Sequence, residues 1–505
     1  MGSKPAPTLE NFRSKLGLKE PQLLQNKGLI GGKWVSAGSG KEFIVEDPSN
    51  GEQLCSAPEM DAKDTTNAVT EADKAFETFS KTTARSRARL LYKLNDELLR
   101  HKDDIAKIIV AENGKPEFEG VGEVVYAASF LEWFAGEAER AYGHTIPAAN
   151  PNSRIMTIKQ PVGVVAALCP WNLPLAMATR KIGAALAAGC TLVVKPAGET
   201  PFSTLAMGYL LSKVGIPDGV VNIVTALDNT AEIGKLCCED VRIKKISLTG
   251  STRVGKLLVK QSADTLKKMS LELGGNAPVI VFDDANMEKV IPGILASKMR
   301  NGGQTCTAAN RILIQKGVSE KVIKLLQAKI QSMKVGGGSD PESAIGPLMS
   351  QRAVKKVEEH IADALKHGAK VEWTYPEPIV SSNFTNGFFY APTILSGLNT
   401  KMLTWREETF GPLVAIHTFE TEKEAVKLAN ETTVGLGAYL FTQDISRAMR
   451  VAEQIRSGMV GVNTGMLSAS ESPFGGIEQS GYGKEGSYMG IDDYMTTKAI
   501  NIDIS

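Results

Sequence analysis

Apolar residues recur every three to four positions over 61–81, where Ala68, Ala72, Ala75, Phe76 and Phe79 fall on one helical face. The same spacing predicts a second helix over 84–112, with Leu90, Leu91, Leu94 and Leu98 as its packing stripe. Before these, residues 1–24 read as a polar arm, and 29–47 carries short strand-like pieces such as Gly-Lys-Trp34-Val and Glu-Phe-Ile-Val-Glu. From 155 to 283 the pattern becomes continuous apolar runs alternating with helical stretches. Strands are predicted at Val162–Leu168, Thr191–Val194, Val220–Thr225, Lys245–Leu248 and Val279–Phe282, with helices at 175–188, 201–214, 229–238 and 253–263. Strands that lack polar alternation are buried on both faces, which means a parallel sheet covered by helices. Such sheets bind ligands beyond the carboxyl ends of their strands. Between 284 and 475 helices are predicted at 286–300, 318–333, 350–368, 421–430 and 444–457, a second α/β unit. Finally, Ile500-Asn-Ile-Asp-Ile504 alternates strictly, as an edge strand in need of a partner does. A contact between copies of the chain and an internal sheet edge both satisfy that need.

A chain of 505 residues is too long for one core and implies two or three domains. With 57 basic and 56 acidic residues and no basic block, it offers nothing to attract nucleic acid or an anionic membrane. The six cysteines form no CxxC, and the five histidines have no ligand spacing with them, so neither a disulfide framework nor a metal site is expected. A reducing compartment suits such thiols. The start, Met1-Gly-Ser-Lys-Pro-Ala6-Pro, lacks a signal-peptide core, an Arg- and Ser-rich transit composition and the myristoylation pattern. No apolar run approaches the ~20 residues of a membrane span. The expected location is the cytoplasm.

The chemistry centres on Asn301-Gly-Gly-Gln-Thr-Cys306-Thr, a cysteine presented two residues after a glycine turn. A thiol titrates near pH ~8.5, and once ionised it attacks carbonyl carbon well. An inert buried cysteine in a glycine-rich turn is the alternative for this stretch alone. Leu168-Cys-Pro-Trp171-Asn172-Leu-Pro follows a buried strand, and Asn172 could turn its amide towards developing negative charge, forming an oxyanion hole with the Cys306 N–H. Thr191-Leu-Val-Val-Lys195-Pro ends a strand with a lysine able to hold a ribose or phosphate. Ser247-Leu-Thr-Gly250-Ser251-Thr-Arg-Val-Gly255 is strand, glycine turn and helix start, a variant phosphate-binding loop. Glu272, before Gly274-Gly275, is a candidate general base, because burial raises a carboxyl pKa towards neutrality. In Glu407-Glu408-Thr-Phe410-Gly-Pro a carboxylate can hold ribose hydroxyls and a phenyl ring can flank a nicotinamide. Gly481-Tyr-Gly483-Lys-Glu-Gly486 matches G-x-G-x-x-G, but it stands too near the end of the chain to open a βαβ unit and is set aside.

In this order and spacing, these motifs resemble the aldehyde dehydrogenase superfamily over roughly residues 28–500. The resemblance implies an α/β fold of two Rossmann-like parallel-sheet domains plus a small β oligomerisation arm. It divides the chain into a dinucleotide-binding domain (1–138 and 160–273), a catalytic domain (274–476) and the arm (139–159 and 477–505). It implies Cys306 as nucleophile, Asn172 at the oxyanion and Glu272 activating the water that hydrolyses a thioester. Trp171, Lys195, Gly198, Gly250, Ser251, Gly255, Gly274, Glu408 and Phe410 would surround the cofactor. The stretches Thr179-Arg180-Lys-Ile-Gly, Lys298-Met-Arg300-Asn and Gly461-Val-Asn-Thr-Gly-Met-Leu-Ser468 are similar to the branch that oxidises succinate semialdehyde, with Arg180, Arg300 and Ser468 clamping the substrate carboxylate. Other aldehydes, such as glutarate semialdehyde or a general aliphatic aldehyde, and a catalytically silent binding protein on the same fold are the rival readings. Many members read Lys-Pro-Ala-Glu where this chain has Lys195-Pro-Ala-Gly198. Loss of that carboxylate removes its repulsion of a 2′-phosphate, so NADP is expected ahead of NAD, with Glu199 as a possible replacement. Ala308 replaces the second cysteine through which some members form a disulfide switch, so no local switch is expected. Dimers or tetramers of the chain are the expected assembly, a homotetramer foremost.

Overall fold

The computed structural model describes residues 7–376 and 386–505. Its larger sheet has eight strands, ordered Lys33–Val35, Gly28–Ile30, Val221–Ile223, Thr191–Lys195, Val164–Leu168, Ile243–Thr249, Lys268–Glu272 and Gly481–Tyr482. The five from Val221–Ile223 to Lys268–Glu272 are parallel to one another, and the strands flanking them are antiparallel. In chain order those five read 3-2-1-4-5, so the winding reverses between Val164–Leu168 and Ile243–Thr249. That is the switch point where a doubly wound sheet opens a crevice at its carboxyl edge. The loops carrying Asn172 and Gly250 both leave the sheet there. Val164–Leu168 and Thr191–Lys195 are buried at every residue, as strands covered on two faces must be. The Pro174–Ala188 helix is likewise buried throughout, begun by a proline and closed by Gly189 at φ 92°.

A second sheet runs Lys370–Thr374, Thr393–Ser396, Leu413–Phe419, Ala309–Gln315, Ala277–Val281, Gly437–Phe441 and Met459–Val462, parallel except for its first pair. The chain passes from the carboxyl end of Lys268–Glu272 to the start of Ala277–Val281 in four residues. The carboxyl edge of one sheet therefore meets the amino edge of the other. Thr145–Ile146, Ser153–Pro161 and Met495–Asp503 form a separate antiparallel sheet, with Met495–Asp503 at its edge. The terminal alternation thus belongs to an edge strand, longer than the five residues read from the pattern.

Three local expectations change. The helix predicted over 84–112 is two, Ala84–Arg100 and Lys102–Asn113, because His101 leaves helical geometry at φ −102°, ψ 17°. The arm 1–24, whose first six residues lie outside those described, folds: Thr8 caps the helix Leu9–Leu16 and Gly17 ends it at φ 55°. Phe12 on that helix is buried with its ring 5.6 Å from Phe202. The third change is the strand predicted at Val279–Phe282 with the first sheet: it is Ala277–Val281 and lies in the second. The 24-residue helix Glu117–Arg140, which the apolar pattern did not mark, packs between Ala84–Arg100 and Pro174–Ala188.

Candidate active site

Cys306 lies three residues before Ala309–Gln315, at the seam between the two sheets. The preceding turn is held in left-handed backbone at Asn301 (φ 51°), Gly302 (φ 61°) and Gly303 (φ 81°). A Cβ on Gly303 would sit 2.3 Å from the carbonyl oxygen of Gly411, so glycine is required there. The strained Asn301 is secured three ways. Its N–H donates to the Glu119 carboxylate at 2.9 Å, its Nδ2 donates to the Asn172 carbonyl at 2.9 Å, and its carbonyl accepts from Gln304 Nε2 at 3.0 Å. Gln304 Oε1 in turn accepts from Met349 N at 2.9 Å. The half-buried Cys306 side chain packs against Leu436, Met459 and Phe474. Burial, with Glu408 adding to it, pushes its thiol up to about 12, while Arg180 and Arg300 act in the opposite sense.

Asn172 reaches the same seam from the first sheet. Its Nδ2 donates to the Gln304 carbonyl at 3.0 Å, and its own carbonyl accepts from Lys115 Nζ and Asn301 Nδ2, each at 2.9 Å. Lys115 is fixed by a buried ion pair with Glu123, whose other oxygen caps the Pro174–Ala188 helix through Leu175 N at 2.9 Å. The amide is therefore pinned by one N–H, which leaves one N–H for a ligand.

Glu272 ends the strand Lys268–Glu272, is 2% exposed, and has no hydrogen-bond partner on either carboxyl oxygen. A Cβ on Gly475 would come within 2.8 Å of its Oε1. Burial first, then the negative charge of Glu485, raise its pKa well above the usual carboxylate range, against Arg180 and Lys181. Glu485 is paired with both cations, Arg180 Nη1 at 3.0 Å and Lys181 Nζ, and Lys181 also donates to Thr249 Oγ1 at 2.6 Å.

The cofactor candidates stand mostly at or just beyond the carboxyl ends of the first sheet's strands, with Glu408 and Phe410 coming from the second unit. Trp171 and Phe410 meet edge to face with ring centroids 5.6 Å apart, and Phe410 is held at φ 58°. Ser251 caps the helix Thr252–Gln261 by accepting from Val254 N, which leaves other first-turn amides for an anion. Gly255 lets that helix lie on Leu273: a Cβ there would stand 2.6 Å from the leucine side chain. Glu408 Oε1 accepts from Gly275 N at 3.3 Å, and a Cβ on Gly274 would lie 3.4 Å from Glu408 Oε2. Burial raises the Glu408 carboxyl to about 7, against Lys356 and Lys298. Lys195 Nζ donates to the carbonyls of Pro196 and Ala226 at 3.0 and 2.9 Å, and burial brings its ammonium down to about 8. A Cβ on Gly198 would lie 2.7 Å from Leu227 Cδ1 and 2.8 Å from Leu227 Cα. Among the described residues no group of three or more His, Cys, Asp or Glu is placed to hold a metal ion.

Two of the three carboxylate-clamp candidates, Arg300 and Ser468, line a small cavity together with Thr305 and Thr307, the chain neighbours of Cys306. Arg180 stands behind Ser468, with Nη2 3.5 Å from its Oγ. Arg180 is only 1% exposed, however, and is already engaged by Glu485 and by the phenol of Tyr126. Three residues here escaped the sequence: Tyr126, Glu485 and Lys298, a buried ammonium with no hydrogen-bond partner. Glu485 stood in the very motif set aside as a poor nucleotide loop. Lys298 stood two places before Arg300. Nothing in the spacing around Tyr126 marks it.

A family model described as "Aldehyde dehydrogenase family" matches residues 34–500. The chain belongs to the aldehyde dehydrogenase family. A mitochondrial succinate-semialdehyde dehydrogenase of Oryza sativa subsp. japonica is 47% identical over 478 residues, 95% of this chain and 89% of that protein. An NADP(+) succinate-semialdehyde dehydrogenase of Escherichia coli strain K12 is 45% identical over 487 residues, covering 96% of this chain and 100% of its own length. The crystal structure of an aldehyde dehydrogenase from Brucella melitensis biovar abortus superposes with a TM-score of 0.93 at 46% identity, covering 97% of this chain and 99% of the other. For an aldehyde dehydrogenase, a thiol, an amide and an unpartnered carboxyl group at the seam of the two sheets form a coherent arrangement. No helix among the described residues is long and apolar enough to cross a membrane.

Proposed function

We propose that this aldehyde dehydrogenase oxidises succinate semialdehyde to succinate, taking NADP in preference to NAD. The observation that carries the reading is the small cavity lined by Arg300, Ser468, Thr305 and Thr307, with Arg180 behind Ser468. It offers cationic and hydroxyl donors to a carboxylate, and Thr305 and Thr307 flank Cys306 in the chain. The succinate-semialdehyde dehydrogenases of rice and Escherichia coli support the same substrate, and the latter supports NADP.

In this reading the Cys306 thiol gives up its proton to solvent and the sulfur adds to the aldehyde carbon. The resulting oxyanion is met by the free N–H of Asn172 and the backbone N–H of Cys306. Trp171, Lys195, Gly250, Ser251, Gly255, Gly274, Glu408 and Phe410 would hold the cofactor, which would supply a hydride acceptor there. Loss of hydride leaves a thioester on Cys306, and Glu272 takes a proton from the water that hydrolyses it. Near Lys195 a 2′-phosphate faces no carboxylate at Gly198, and Leu227 leaves no room there for a glutamate. Glu199 is exposed, and its negative charge is the first of those acting on Lys195. We assign 1–138 and 160–273 to cofactor binding, 274–476 to catalysis, and 139–159 with 477–505 to the arm through which copies of the chain assemble, as dimers or tetramers.

The test is reduced-cofactor formation with succinate semialdehyde, glutarate semialdehyde and butanal, each with NADP and with NAD. Succinate semialdehyde with NADP should give the highest kcat/KM. A higher value with butanal would overturn the substrate, and a higher value with NAD the cofactor preference. Glu408 adds a pH dependence. Its carboxyl, raised to about 7, is neutral below that pH and ionised above it, and the ionised form is the better acceptor for ribose hydroxyls. The KM for NADP should therefore fall as pH rises from 6 to 8, and Glu408→Gln should flatten that fall.

A further inference from the structure

We propose that Tyr126 is a positioning residue that makes the Ser468 hydroxyl a carboxylate donor, and so sets the preference of this enzyme for carboxylated aldehydes. The inference rests on the substrate reading above.

Tyr126 lies on the helix Glu117–Arg140, and its phenol oxygen is where three side chains meet. Arg180 Nη2 donates to Tyr126 Oη, Tyr126 Oη is hydrogen-bonded to Ser468 Oγ, and Arg180 Nη2 lies 3.5 Å from Ser468 Oγ. A guanidinium only donates, so the phenol oxygen accepts from Arg180. In the remaining bond either oxygen can donate. A carboxylate lying in the cavity accepts the Ser468 proton and so selects the arrangement in which Tyr126 donates to Ser468. The serine oxygen accepts from the phenol, and its own proton is left for something else. Ser468 lines the cavity with Arg300, so that proton is available to a ligand lying there.

Arg180 contributes its charge through this chain rather than by touching the ligand. It is 1% exposed, its Nη1 is bound to Glu485 at 3.0 Å, and its guanidinium carbon lies 4.5 Å from the Phe474 ring centroid and 4.8 Å from that of Phe130. A cation at the head of a hydrogen-bond chain polarises each hydroxyl after it, and the last hydroxyl becomes a stronger donor. An anionic acceptor gains from that more than a neutral one. Tyr126 is the close link in that chain, since Arg180 itself reaches Ser468 Oγ only at 3.5 Å.

Tyr126→Phe removes the link and keeps the ring, which packs at 5.0 Å from Phe130 and under Arg180. Steady-state kinetics are measured for the wild type, Tyr126→Phe, Ser468→Ala and the double variant, with succinate semialdehyde and butanal. For Tyr126→Phe we expect KM for succinate semialdehyde to rise roughly tenfold with kcat within about twofold, the scale of one charge-assisted hydrogen bond. The ratio of kcat/KM for succinate semialdehyde over butanal should fall by the same factor. Once Ser468 is alanine, adding Tyr126→Phe should lower the ratio no further. Equal losses on both aldehydes would mean packing alone and overturn the proposal, as would independent, multiplicative losses in the double variant. A wild type with no preference for the carboxylated aldehyde would instead overturn the substrate reading on which the proposal rests.

Discussion

Cys306→Ala should abolish aldehyde-dependent NADPH formation, lowering kcat by about 10⁴- to 10⁶-fold, the scale on which removal of a catalytic nucleophile acts. The loss would come from chemistry, not from collapse of the fold. The side chain is half-buried at the seam, beside Leu436, Met459 and Phe474, and losing one sulfur atom there costs about 1 kcal/mol. A folded domain holds about 5–15 kcal/mol in reserve. The turn that presents residue 306 is built from Asn301, Gly302, Gly303 and Gln304 and does not use the thiol. NADP binding, followed by fluorescence titration, should accordingly stay within about twofold of the wild type. The other thiols offer no rescue: Cys55, Cys169, Cys190, Cys237 and Cys238 are buried. Turnover within tenfold of the wild type would remove Cys306 from the mechanism.

How far this site could be read in the sequence depended on whether each residue's role lies in local pattern or in what the fold brings to it. The strands Val164–Leu168 and Thr191–Lys195 were legible because parallel strands are apolar without interruption and end at turn residues. Their ends carry Asn172 and Lys195, so those two were legible with them. Cys306 was legible because a left-handed turn demands glycine, and two glycines stand just before it. The helix Glu117–Arg140 was not. It is buried between two other helices, so apolar residues occur on several of its faces and no single stripe stands out. Tyr126 was lost with it. His101 breaks a helix with neither glycine nor proline to announce it. Glu485 illustrates a different limit. Its neighbours Arg180 and Lys181 are some three hundred residues earlier in the chain, and only the closed fold turns a glutamate in a glycine-rich loop into the anion of a buried cluster with two cations.

Glu272→Gln separates the two halves of the reaction. In the proposed sequence Glu272 acts on the hydrolytic water, after hydride has left and the thioester has formed. The variant should still acylate, releasing about one NADPH per site in a burst, and then turn over about 10²- to 10⁴-fold more slowly than the wild type. Glutamine is nearly isosteric, and the side chain it replaces has no hydrogen-bond partner to lose, so the shape of the site is kept. The pH profile gives a second, independent sign. Burial and Glu485 hold the Glu272 carboxyl protonated well above the usual range, so the ionised base becomes more abundant as pH rises. Wild-type kcat limited by thioester hydrolysis should rise with pH over the range where Glu272 ionises, and Glu272→Gln should lack that limb. Glu485→Gln withdraws the negative charge that opposes ionisation, and should move the rise to lower pH. A Glu272→Gln enzyme with no burst would place the residue before hydride transfer. One with undiminished steady-state turnover would assign the water's proton to another group.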